Sequence, residues 1–229
     1  MIPAMRRLAR IASVALITAG VVLLADAAIT LVWKEPLSAI YSAIEQNQAA
    51  DELNSLSDEF LQDPDVADLA ASRAATARRA ERLADLYEKR LEEGKPFGRI
   101  KIPSIDADYV VVEGTEEADL ERGPGHYPDT ALPGQRRTVA IAGHRTTYGA
   151  PFNQIDKIEI GDTIVLEMPY GTFSYDVTAT RIVDPDQVGI VRDVGHDRLV
   201  LTSCHPLYSA AQRYAVFADL KRIDLAETS

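Results

Sequence analysis

The chain has 229 residues, enough for one ordinary domain with accessory segments, and 46% hydrophobic residues allow a sizeable core. Its formal net charge of -11 argues against nucleic acid as a partner. The only cysteine, Cys204, excludes an internal disulfide, which leaves an inert buried thiol or an unpaired reactive one.

Arg6, Arg7 and Arg10 precede a stretch from Ile11 to Trp33 whose single formal charge is Asp26. That is long enough to cross a hydrocarbon layer, so residues 11–33 are expected to form a transmembrane anchor. The basic cluster places residues 1–10 in the cytoplasm and everything beyond Trp33 outside, as a single-pass protein of the cell membrane. A cleavable signal peptide is the competing reading, because the apolar run to Ala25 is short and Ala25, Ala27 and Ala28 are small. Setting aside the three arginines and Asp26 leaves 21 basic against 34 acidic residues, a net charge of -13 on the exported part.

Residues 34–96 are rich in Ala, Glu, Asp and Arg and break at Gln62-Asp63-Pro64-Asp65, which predicts a helical stalk or linker. Val66, Ala70, Ala74, Ala77, Ala80, Ala84, Tyr87 and Leu91 line one side of a second helix that Gly94 and Pro96 would end. This stripe is expected to pack on a first helix around Leu37, Ile40, Tyr41 and Ile44 or on a neighbouring chain; a free spacer is the alternative.

From Phe97 the texture changes to short apolar runs between Gly, Pro and Asp: 99–102, 109–113, 138–142, 163–167, 173–183, 198–202 and 214–220. Runs at this spacing predict an all-β barrel or sandwich over residues 97–222, followed by a tail, 223–229. Gly161-Asp162 and Tyr170-Gly171 read as turns, and 118–122 and 151–155 as short helices.

Three polar residues stand where such runs stop. Leu199-Val200-Leu201-Thr202-Ser203 leads into Cys204, and Pro206 prevents further regular pairing, so the thiol sits on a rim. Arg213 opens the next run, and antiparallel pairing would return its guanidinium to Cys204. Thr138 to Ala142 ends in Gly143-His144-Arg145, which delivers an imidazole at another strand terminus. Thiolate attacks amides, an imidazole carries the proton traffic, and a permanent cation stabilises an oxyanion.

Leu201-Thr202-Ser203-Cys204 with Arg213 and Ala142-Gly143-His144 resembles the signature of sortases. The blocks Gly123 to Tyr127, Thr130 to Gly134, Gly143 to Phe152 and Cys204-His205-Pro206 with Ser209-Ala210 are similar to the class E branch of that family. The resemblance covers 97–220 and implies an eight-stranded barrel with short helices. It also implies a cysteine transpeptidase with Cys204 as nucleophile, His144 as general acid and base, and Arg213 stabilising oxyanion or substrate. Such an enzyme cleaves a Leu-Pro-x-Thr-Gly-like or Leu-Ala-x-Thr-Gly-like signal of a secreted protein between Thr and Gly. A peptidoglycan-precursor amine would then take the acyl group from the thioester, fixing the protein to the cell wall. A pilin lysine as acceptor is the second enzyme reading, and a membrane-tethered module that binds signals without cleaving them is the rival from another class.

His126, Tyr127, Thr202 and Ser203 are candidates for the substrate groove, with turn packing as the alternative for His126 and Tyr127, and 183–197 is the loop expected to read the substrate. His205 is expected to be structural and His196 to lie in a plain loop, while Arg145 could assist electrostatically but is expected to face solvent. Asp184, Asp186, Asp193 and Asp197 lack the spacing of a calcium loop, so neither metal nor cofactor is expected.

Overall fold

Apolar alternation with period two, repeated between turns, can bury its inner face without leaving an edge only by closing on itself. The computed structural model, which describes residues 2–33 and 36–226, shows this closure. The eight strands are β1 (Pro96–Ile102), β2 (Ala107–Glu113), β3 (Gly125–His126), β4 (Thr138–Ala142), β5 (Thr163–Met168), β6 (Gly171–Val183), β7 (Arg198–His205) and β8 (Gln212–Leu225). They form a closed barrel in the order β1-β2-β3-β4-β7-β8-β6-β5. β8 bridges β6 and β7 and extends to Leu225, paired with Gly171, so the strand continues into the segment expected to be a tail. Residues 227–229 of that expected tail lie outside the described residues.

Inward residues form one core: Val139 and Ile141 of β4, Leu199 and Leu201 of β7, and Val216 and Ala218 of β8. Their neighbours in sequence point outward and build a second apolar surface. Ala140, Val200, Ala215 and Phe217 pack there with Tyr127, Ala179, Ile190 and Val191. Ile190 and Val191 belong to a 3₁₀ turn, Val188–Val191, in the loop between β6 and β7. This outer floor carries the site.

The segment before the barrel is helical, as expected, but it is neither a spacer nor a self-contained hairpin. Its helices are α2 (Pro36–Gln62), α3 (Pro64–Ala71) and α4 (Thr76–Glu88). The predicted break is built by Asp63, whose carboxylate accepts from the Asp65 N–H at 2.8 Å while Pro64 takes the first position of α3. The second helix, expected to be continuous, breaks at 72–75, where the Ser72 hydroxyl accepts from the Ala74 N–H and competes with the helical ladder.

α2 and α4 then turn their apolar residues to the barrel. Phe60, Ala80, Leu83, Ala84 and Tyr87 join the barrel core, and the Phe60 and Tyr87 rings meet edge to face at 5.4 Å with Tyr170 against both. The Tyr87 hydroxyl lies 3.2 Å from the carbonyls of Pro96 and Phe97. The Gln46 side chain pairs with the backbone of Val110 in both directions and donates to the Arg122 carbonyl. Ile40, Tyr41 and Ile44, expected under the second helix, are exposed instead, because the barrel offers α4 a larger aromatic surface.

One helix, α1 (Ile2–Trp33), covers the expected anchor. Residues 34–35 and the side chains of 2–9, 26–33 and 36–37, Leu37 among them, lie outside the described residues. Among the described residues no helix is long and apolar enough to cross a membrane. The apolar side chains described on α1, from Ile11 to Leu24, stand exposed.

Candidate active site

Cys204 and Arg213 are directly opposed in the β7–β8 ladder, which puts their side chains on the same outer face a few ångströms apart at Cβ. The thiol is free and half-buried. Arg213 donates from Nη1 to the carbonyls of Ala210 at 2.9 Å and Gln212 at 3.0 Å, so its guanidinium braces the loop that returns from β7. A cavity of about 290 Å³ opens over the thiol, lined by Arg145, Thr146, Cys204, Tyr208, Ser209 and Ala210.

β4 runs parallel to β7 with Ala142 beside Thr202, and the Gly143 N–H donates to the Thr202 carbonyl at 3.0 Å. Ser203 points inward and its hydroxyl donates to the Gly143 carbonyl at 2.7 Å. The strand that delivers His144 is therefore bonded to the strand that delivers Cys204 right up to both residues. Gly143 has no alternative here, since a Cβ would lie 2.5 Å from the Phe152 ring.

His144 is half-exposed, yet its Nε2 is enclosed and has no hydrogen-bond partner among the described residues. Burial lowers its pKa below the ordinary histidine value, while the negative charges of Glu121 and Glu117, on α5 (Glu117–Arg122), act in the opposite direction. Tyr148 lies against the imidazole at 5.3 Å between ring centres and donates its hydroxyl to Glu121 at 2.7 Å. Tyr148, Gly149 and Ala150 all have positive φ, an uncommon run for a segment with two side-chain-bearing residues.

The groove candidates separate by strand parity. Tyr127 and Thr202 face the outer floor, with the tyrosine hydroxyl and Thr202 Oγ1 at 2.9 Å. His126 is 1% exposed inside the barrel, stacked on Phe97 at 4.1 Å and held by Glu113 at 2.8 Å and the Ala131 carbonyl at 3.1 Å. It lies on the other side of the sheet from the groove, as does Ser203, whose hydroxyl is committed to Gly143. The reason is the period of two, which turns adjacent residues to opposite faces.

The expectation that Arg145 faces solvent is overturned. It is 4% exposed and pairs with Asp156 at 2.8 Å. Only the alternative, an electrostatic role for Arg145, is compatible with this burial. His205 is turned away from the thiol side and lies near Tyr214, with Nδ1 accepting from Arg145 at 3.0 Å. His196 pairs with Asp219 at an exposed position. Among the described residues no group of His, Cys, Asp and Glu has the arrangement of a metal site.

The arrangement resembles that of known proteins. A family model described as the sortase domain matches residues 100–221, just over half of the chain. Sortase D of Bacillus subtilis is 37% identical over 131 residues, 55% of this chain and 64% of that protein, so the match spans just under two thirds of this curated relative. The structure of sortase E from Streptomyces avermitilis is 34% identical with a TM-score of 0.54, covering 58% of this chain and 93% of that one. Streptococcus pneumoniae sortase C, 21% identical with a TM-score of 0.58, covers 77% of this chain and 97% of its own, a likeness of fold that reaches beyond the barrel.

Proposed function

The chain belongs to the sortase family, and from that premise we propose that it is a cysteine transpeptidase that joins a secreted protein's sorting signal to an amine. One observation carries the reading: a free thiol on β7 lies opposite an arginine on β8, and the adjoining strand presents an imidazole with an enclosed, unpartnered nitrogen. These are a nucleophile, an oxyanion partner and a proton carrier on one face of one sheet.

In this reading the Cys204 sulfur adds to the carbonyl of the signal's threonine, and Arg213 stabilises the charge that develops on oxygen. Collapse breaks the bond to glycine, whose nitrogen takes a proton from His144, and leaves a thioester. An incoming amine attacks that thioester, His144 takes its proton, and the carbon–sulfur bond breaks to release Cys204 as thiolate, which restores the starting pair. Burial lowers the pKa of His144 and so favours its neutral form, and the resemblance to sortases implies that the competent thiolate–imidazolium pair is a minor population.

The outer layer of Ala140, Val200, Ala215 and Phe217 is already covered by Ile190, Val191 and Tyr127 and seats the β6–β7 loop on the sheet, so on this reading the loop, rather than the buried layer, meets an extended signal of the Leu-Pro-x-Thr-Gly or Leu-Ala-x-Thr-Gly kind. The class E-like character, the peptidoglycan-precursor acceptor, the anchor at 11–33 and an outward-facing barrel complete the proposal. They rest on the sequence blocks and the basic N-terminus.

The test uses the full chain in detergent micelles with fluorogenic peptides of both signal types. Wild type cleaves at least one of them and links it to an added amine, while Cys204→Ala keeps the fold and loses at least about 10³-fold in rate. Equal turnover by that variant would remove the proposal. Mass analysis of products formed with a peptidoglycan-type amine or a pilin-type lysine identifies the acceptor.

A further inference from the structure

The buried arginine beside the imidazole has no part in the chemistry just described. Its three guanidinium nitrogens all find acceptors, and these fall on two separate segments. Nη1 donates to the Cys204 carbonyl at 3.3 Å and to His205 Nδ1 at 3.0 Å, both at the end of β7. Nη2 lies 2.8 Å from the Asp156 carboxylate, and Nε donates to the Asn153 carbonyl at 3.4 Å, both in the segment that follows β4. The Asn153 side chain returns a bond to the Arg145 carbonyl at 2.8 Å, and the Phe152 N–H donates to the His144 carbonyl at 3.1 Å. The result is a clamp between the peptide unit of the thiol and the loop of the imidazole.

We propose that Arg145 is a positioning residue for the Cys204–His144 pair, holding the end of β7 against the loop after β4 and setting the separation across which the proton moves. Regular pairing cannot do this, because the β4–β7 register stops at Ala142 and Thr202, before either residue. Beyond that point, among the described residues, the Gly143 and Ser203 bonds and this guanidinium join the two segments. A fork of fixed geometry suits the task better than an ammonium on a flexible stem. Asp156, with a side chain 38% exposed, supplies the one carboxylate paired with it, so the buried cation is balanced by a partner outside the reacting pair. The guanidinium also lines the cavity over the thiol and places a cation there.

This inference rests on the transpeptidase reading, and the experiment separates the two. In the full chain, Arg145→Gln, Arg145→Lys and His205→Ala are compared for kcat and KM on the signal peptide, for the pH dependence of Cys204 alkylation by iodoacetamide, and for thermal unfolding. Arg213 opposite the thiol, Glu117 and Glu121 near the imidazole, and Asp156 on the clamp, the other charged groups around the pair, are unchanged in all three. Arg145→Gln is expected to lose about 10²-fold in kcat with KM nearly constant. Its alkylation profile moves to higher pH, and Arg145→Lys restores the profile more than it restores kcat. His205→Ala, which removes one acceptor without stranding a charge, loses about fivefold in kcat and decides the case if Arg145→Gln does not fold. A lowered unfolding temperature with unchanged kcat and alkylation in the folded variants would overturn the proposal. Were wild type to process no signal peptide, the transpeptidase reading would fail, and the alkylation profiles would still decide the role of Arg145.

Discussion

Ser203 and Gly143 are joined by a 2.7 Å hydrogen bond from a buried hydroxyl to a carbonyl, one residue before the thiol on one strand and one residue before the imidazole on the other. Ser203→Ala leaves that carbonyl enclosed without its donor, at a cost of about 1–3 kcal/mol. Denaturant unfolding should show this loss, and kcat should fall more than KM changes, because the bond sets the relative position of the two strand ends. Ser203→Thr keeps the hydroxyl and should lie close to wild type in both measurements.

Glu121 offers a direct handle on His144. Its charge raises the pKa of an imidazole that burial lowers, so Glu121→Gln, which retains an acceptor for Tyr148, removes an offset and lowers that pKa further. The acidic limb of the kcat/KM profile therefore moves to lower pH. The plateau falls as well, since a less basic imidazole makes the thiolate–imidazolium pair rarer. A limb displaced to higher pH would contradict the assignment of Glu121 as the favourable charge.

Gly143→Ala tests the close approach of the His144 strand to the core. The added methyl meets the fully buried Phe152 ring at 2.5 Å, and overpacking of this kind costs about 1–3 kcal/mol. Thermal unfolding should show the loss, with activity falling further than stability because displacement of Phe152 moves the loop that carries His144.

Phe60→Ala measures how firmly the helical segment is seated. The side chain is 1% exposed between Tyr87 and Tyr170, so truncation should cost about 3–5 kcal/mol in urea unfolding followed by the near-ultraviolet tyrosine signal. A helical segment serving only as a spacer would lose almost nothing.

Where the sequence was legible and where it was not follows from range. The ends of β4 and β7 and the start of β8 could be read because an apolar run, a Gly or Pro and a polar residue lie side by side in the chain, and these are the places that hold His144, Cys204 and Arg213. The helices and the break at Asp63 were legible for the same reason. The docking of those helices was not, because Phe60 meets Tyr170 across 110 positions and an alanine stripe names no partner. Arg145 looked like a surface residue because its acceptors at Cys204 and His205 lie about 60 positions away. His126 reads as either a groove residue or a turn residue because its surroundings are rich in Gly and Pro, whereas pairing of β3 with β4 draws it into the barrel.

The seated helices also bear on reach. A chain hung from a loose leash would sweep its thiol through a wide volume and meet signals at many heights. With α2, 27 residues and about 40 Å long, locked to the barrel by Gln46 near its middle and Phe60 near its C-terminal end, Cys204 stands at one set distance from Pro36. On the proposed reading, the burden of spanning the remaining gap passes to the substrate, and the length of polypeptide before its signal becomes a criterion of selection in its own right.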